Sequence, residues 1–189
     1  MSAYPMRKVS VVYLFALALH VSAKNAYKVI PIITGVQLKD NLNYLNSSAQ
    51  TYNASEHKID FSINLKTPLV NPWLNLITWV DVASGALKAP LQNKSINFCK
   101  FLRNPSMHRL GQIILREVKR SGNAPTKCPF PAKLYQFRSL STGELRLPLF
   151  LPENEFVIDI VVGVSNNIVY NSRWHGMLRR VQCTSNRRC

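Results

Sequence analysis

Acidic residues are scarce. Asp and Glu number 9 against 24 Lys and Arg, and the formal net charge is +15. Paired carboxylates for general acid–base chemistry cannot be placed among so few, widely scattered acids. Glycine is thin as well, at 7 residues. There is no Gly-x-Gly-x-x-Gly, no P-loop and no Gly-x-Ser-x-Gly, so nucleotide binding and α/β-hydrolase chemistry have no motif to stand on. Histidine occurs four times, without a His-Glu-x-x-His or a pair at ligand spacing, and the four cysteines include no Cys-x-x-Cys. No metal, no cofactor and no enzymatic activity are therefore expected. Trp174-His175-Gly176 is the most suggestive local group, but no motif ties a nucleophile to it.

Long apolar runs are also missing, with one exception near the start. Arg7 and Lys8 precede an uncharged stretch from Val9 to Leu19, and Val21-Ser22-Ala23 supplies small residues where signal peptidase reads. This is the pattern of a secretory signal. A membrane span needs about 20 apolar residues, and the stretch is about half that. Cleavage is expected after about Ala23, leaving residues 24–189 as one secreted, extracellular domain. Phe156 to Val164 is the most apolar later segment, but Asp159 interrupts it. No transmembrane segment is expected in the mature chain.

Without Arg7 and Lys8 the charge is +13. Such a field favours anionic partners: lipid surfaces, sulfated glycans or acidic proteins. Export removes nucleic acid from that set. Cys99, Cys128, Cys183 and Cys189 form an even set in an exported chain, which implies two disulfides with three possible connectivities. Asn46-Ser47-Ser48, Asn53-Ala54-Ser55 and Asn93-Lys94-Ser95 are N-glycosylation sequons. Asn104-Pro105-Ser106 is blocked by its proline.

What remains is mostly strand-like. In Lys58 to Lys66, Ile59, Phe61, Ile63 and Leu65 fall on one face, with Lys58, Asp60, Ser62 and Asn64 on the other. That is the period of a half-buried strand. Lys28–Gln37, Trp73–Val82, Lys133–Leu140, Phe156–Val164 and Ile168–Trp174 also predict strands, with Asn166-Asn167 as a hairpin turn between the last two. One segment has helical spacing. Asn104-Pro105 supplies a cap and a first-turn proline, Met107, Leu110, Ile114 and Val118 form an apolar face widened by Ile113, and Gly122-Asn123 ends it. Arg109, Gln112, Arg116, Lys119 and Arg120 lie opposite. The apolar side is expected to be core. The fold class is mostly β: an antiparallel β-sandwich or β-cup with one α-helix between Cys99 and Cys128.

Phe98-Cys99-Lys100-Phe101-Leu102, the helix, Asn123 and Cys128-Pro129-Phe130 resemble an insect family of small secreted proteins of unknown function. Leu147-Pro148 and Phe156-Val157-Ile158-Asp159 follow in the matching order, so the signature spans about residues 96–164. The family is similar to chemosensory CheB proteins and, distantly, to the lipid-recognition superfamily of the ganglioside activator, whose two sheets splay around a lipid. The resemblance implies a Cys99–Cys128 bridge across the helix, and closing a loop of about 30 residues contributes roughly 3–4 kcal/mol. Cys183 and Cys189 are then left to each other.

The resemblance further implies a carrier of a lipid or other small hydrophobic molecule. Candidate wall residues are Phe61, Ile63, Leu76, Trp79, Ile113, Phe137, Phe150, Ile158 and Ile160. Arg109 and Arg116 on the helix would meet an anionic head group. The competing reading is a charge-driven binder of anionic glycans, lipids or microbial envelopes, with Arg173, Arg179, Arg180, Arg187 and Arg188 as its cluster. A membrane receptor would serve either reading as partner. A third reading, a precursor cut at Lys119-Arg120 or Arg179-Arg180, conflicts with the folded helix and the cysteine-containing tail.

Overall fold

The computed structural model describes residues 27–52, 57–80, 90, 92–145 and 147–183. The expected export signal, Asn53, Cys189, Arg187 and Arg188 lie outside the described residues. The strands are β1 (Tyr27–Asp40), β2 (Leu45–Thr51), β3 (Lys58–Leu65), β4 (Trp73–Val80), β5 (Gln92–Asn97), β6 (Leu134–Ser141), β7 (Glu155–Val164) and β8 (Asn167–Gln182). They form two antiparallel sheets, ordered β1-β8-β7-β4-β5 and β2-β3-β6. Between β5 and β6 come α1 (Phe98–Arg103), a 3₁₀ turn (Pro105–Met107) and α2 (Arg109–Ser121). The expected mostly-β class, with a disulfide flanking a helix, is what the chain adopts.

Alternation in β3 works as its sequence predicts. Ile59 and Leu65 are buried, Phe61 and Ile63 pack against the larger core cluster, and Lys58 and Asn64 are exposed. The register with β6 shifts between Ile59 and Phe61. There Ser139 takes φ 51°, and its amide donates to the Asp60 carboxylate at 2.6 Å. The Tyr52 hydroxyl donates to the other Asp60 oxygen at 2.8 Å. With these two donors favouring the charged form, the Asp60 carboxyl lies below its ordinary range, the backbone bond being the larger cause.

The β7–β8 turn differs from expectation. Val164 pairs with Asn167, so the two turn residues are Ser165 and Asn166, and Ser165 carries the positive φ of 52°. The helical region differs more. Asn97 caps α1 by accepting from the Lys100 amide at 2.9 Å. Asn104 closes α1 instead of opening the longer helix, and Pro105 starts the 3₁₀ turn. α2 begins only at Arg109. Its Gly111 lies against the Phe101 ring, where an added Cβ would sit at 3.1 Å. The apolar side expected in the core is not buried: Met107 is 70% exposed, Leu110 43% and Ile114 46%. Leu115 and Glu117 are the buried residues of α2, with Val118 packed on the core.

One side of the sandwich is joined by the β1–β2 turn. Leu45 donates its amide to Asn41 O at 3.0 Å, and the Asp40 carboxylate accepts from the Ser47 amide at 2.6 Å and hydroxyl at 2.8 Å. On the other side the chain crosses from β5 to β6 through the helices. Cys99 and Cys128 are bridged there, with a Cα–Cα distance of 5.7 Å. Cys183 is also disulfide-bonded.

Candidate ligand-binding face

Side chains of paired residues share a face of an antiparallel sheet. Leu76 pairs with Ile160, Ile160 with Ser172 and Ser172 with Leu38. One row along, Thr78 pairs with Ile158 and Ile158 with Trp174. Rings identify this as the inner face. Phe61 of β3 meets Trp174 edge-on at 5.9 Å and Tyr170 at 6.4 Å, and stacks on Phe137 at 6.1 Å. The aromatic group thus reaches from one sheet to the other.

The buried core does not fill this face. It falls into two clusters. The larger contains Leu45, Leu65, Phe101, Phe130, Tyr135, Phe137, Val169 and Tyr170. The smaller contains Val29, Phe156 and Leu178. Ile160 flanks the first and Ile158 the second. Between them Leu76, Thr78, Ile158, Ile160 and Trp174 are all only part-buried. β4 lies between β7 and β5, yet every one of its eight residues is part-buried. A strand inside a closed sandwich alternates buried and exposed residues; β4 does not.

Polar groups on the inner face are few. Trp174 donates Nε1–H to Ser172 Oγ at 2.9 Å, and Ser172 is 2% exposed. Burial pushes the Tyr170 hydroxyl up to about 12, so it is neutral at physiological pH. Lys94 pairs with Leu76 on the edge strand and is exposed, which sets one cation beside the apolar row.

Several candidate residues therefore come together: Phe61 and Phe137 as a stack, and Leu76, Ile158 and Ile160 as neighbours on the opposite sheet. Ile63 packs against the larger cluster, and Ile113 is part-buried on α2. Two candidates do not join them. Trp79 is of the opposite parity to Leu76 and lies on the outer face. There its indole N–H donates to Asp159 Oδ2 at 3.3 Å, beside the two Arg173 bonds to that carboxylate at 2.6 and 2.8 Å. Phe150 is 82% exposed and walls no interior. Arg109 and Arg116 are exposed on α2, and Arg116 lies 3.5 Å from Glu117. Asn46 and Asn93, the described sequon residues, are exposed.

Tyr170 and Trp174 were not among the candidates read from sequence. Their shared parity in the last strand is visible there, but which strand they face is not. A depression of about 300 Å³ lies at β2, β3 and β6, where Ser48, Gln50, Asp60, Ser62, Gln136 and Arg138 line it together with Ala49, Phe61 and Phe137. Among the described residues no three His, Cys, Asp or Glu side chains gather as a metal site, and no helix is long and apolar enough to cross a membrane.

Residues 60–158 match the family described as a protein of unknown function, DUF1091. That is just over half of the chain. The chain belongs to the DUF1091 family. The match runs from β3 to β7 and includes Cys99, Cys128 and both helices. The DUF1091 segment therefore contributes Phe61, Leu76, Phe137 and Ile158 to the inner face, whereas Ile160 and Trp174 lie beyond it. No curated protein matches the chain.

Proposed function

We propose that this protein is a secreted, non-enzymatic carrier of a lipid or other small hydrophobic molecule, held against the inner face of the five-stranded sheet. One observation carries the reading: β4 is an internal strand whose eight residues are all part-buried. Its inward side chains, with Ile158, Ile160 and Trp174, offer apolar surface that the buried core of the described residues covers only in part. Small-molecule sites have this character, mostly apolar walls with few polar groups. Export is supported by the Cys99–Cys128 bridge, since such bonds persist in oxidising compartments. The resemblance of Phe98–Leu102 and Cys128–Phe130 to the insect family akin to chemosensory CheB proteins and the ganglioside activator supports a lipid-like ligand. A chemosensory role is part of the same proposal.

The test is native mass spectrometry of the full secreted chain, before and after organic extraction, together with titration of a fluorescent fatty acid. A removable adduct, or saturable probe binding weakened by substitution at Leu76 or Ile160, supports the carrier. Material free of adduct that binds no probe sinks it.

A further inference from the structure

We propose that α2 docks this protein on anionic phospholipid surfaces. Leu110 and Ile114 are four residues apart on one line of α2, Met107 ends the 3₁₀ turn just before it, and they are 43%, 46% and 70% exposed. Two large apolar side chains on one line of α2, with a third beside them on the preceding turn, are not scattered surface residues. Arg109, Arg116, Lys119 and Arg120 on the rest of α2, and Arg103 at the end of α1, are all exposed. The single acid of the helix, Glu117, is 6% exposed. It is matched by Arg116 at 3.5 Å and Arg120 at 3.2 Å. No exposed acid accompanies the apolar line, and cations occupy much of the rest of the helix surface.

Charge complementarity names the partner. Apolar side chains need an apolar phase and the cations an anionic border, and an acidic bilayer interface supplies both within a few ångströms. A sulfated glycan would satisfy the cations but leave Leu110 and Ile114 in water. α2 has 13 residues, too few to span and enough to lie in the interface plane. A free helix of that length is marginal in water. Here packing of Gly111 on Phe101 and the Cys99–Cys128 bridge present it already formed, so docking carries no folding cost.

The full secreted chain is sedimented with vesicles of phosphatidylcholine alone and of phosphatidylcholine with phosphatidylserine. Binding is expected only with phosphatidylserine and falls as salt rises. Arg103→Gln with Lys119→Gln should weaken it about thirtyfold, at about fivefold per cation. Leu110→Ser with Ile114→Ser should weaken it tenfold or more. Met107→Ser, at the most exposed of the three positions, gives a loss in the same direction that no core disruption can explain. The Leu110→Ser, Ile114→Ser variant should still bind the fluorescent fatty acid in solution, which separates failure of docking from failure of the carrier reading. No binding to phosphatidylserine vesicles overturns the proposal. So does vesicle binding indifferent to Leu110 and Ile114, or retention on heparin without retention on vesicles.

Discussion

Enlarging a side chain distinguishes a close-packed interior from an open one, and Leu76 and Val169 provide the pair. Val169 is 0% exposed within the larger cluster. Val169→Phe has no room, and overpacking costs about 1–3 kcal/mol. For a chain of this size that lowers the unfolding temperature by about 2–12 °C. Leu76 is part-buried beside Ile160, with Lys94 on its open side. Leu76→Trp adds apolar surface at a position that is only part-buried. Covering about 40 Å² more at about 25 cal/mol per Å² contributes about 1 kcal/mol, offset by the lost freedom of the ring. The net change should stay within about 0.5 kcal/mol, or about 2 °C. The same ring occupies the proposed ligand position, so fatty-acid affinity should fall at least tenfold. Thermal unfolding by circular dichroism and a probe titration read both numbers. If Leu76→Trp lowers the melting temperature as far as Val169→Phe and leaves probe binding untouched, the inner face is already packed and the reasoning fails.

Replacing Cys99 and Cys128 together by serine should cost about 3–4 kcal/mol through loop-closure entropy over a separation of 29 residues, seen as a lower denaturant midpoint; an unchanged midpoint would contradict it. Gly176→Ala should destabilise by about 1–3 kcal/mol, because the new Cβ would lie 2.5 Å from Phe156 Cζ and 2.6 Å from the Ile32 carbonyl oxygen, and a backbone carbonyl cannot swing away. The Arg173 hydrogen bonds hold the Asp159 carboxyl below its ordinary range, with desolvation opposing them. A depressed folded value means stability that is present above the unfolded value of about 3.9 and lost as pH falls through the folded one. Asp159→Asn should therefore cost about 1 kcal/mol near neutrality, a modest figure because the Arg173 side chain is 49% exposed. The difference from the parent protein should vanish in strong acid, and one that persists there would assign the cost to packing.

The strands with a strong two-residue period were legible. Lys58–Leu65 needed nothing beyond its own alternation, and the predicted Lys133–Leu140 differs from β6 by one residue at each end. β2 and β5 were not read. Their sequences, Leu45–Thr51 and Gln92–Asn97, carry Asn, Gln, Ser and Lys at most positions because each is the edge of its sheet with much of it in water. Periodicity grouped Met107, Leu110, Ile114 and Val118 as one inward line, but Met107 lies before α2 begins and only Val118 packs on the core. Hydrophobic spacing reports which residues share a face and is silent on what that face meets. Trp79 failed for a related reason: parity put it opposite Leu76, and only the contact of Phe61 with Trp174, carried to β4 through the β8–β7–β4 pairing, shows which parity points inward.

The sandwich is built like a bound book. β1 and β2 form the spine, tied at Asn41, Asp40 and Ser47. At the fore-edge the leaves end in β5 and β6, and the long crossover between them is held by the Leu69–Phe130 and Gly122–Phe137 bridges. The Cys99–Cys128 clasp fastens that crossover to itself just after β5 and shortly before β6, over a Cα–Cα distance of 5.7 Å. The covalent path between the two free edges is thereby cut to a few residues on either side of one bridge. A reducing environment would unfasten this one clasp and leave the spine as it is.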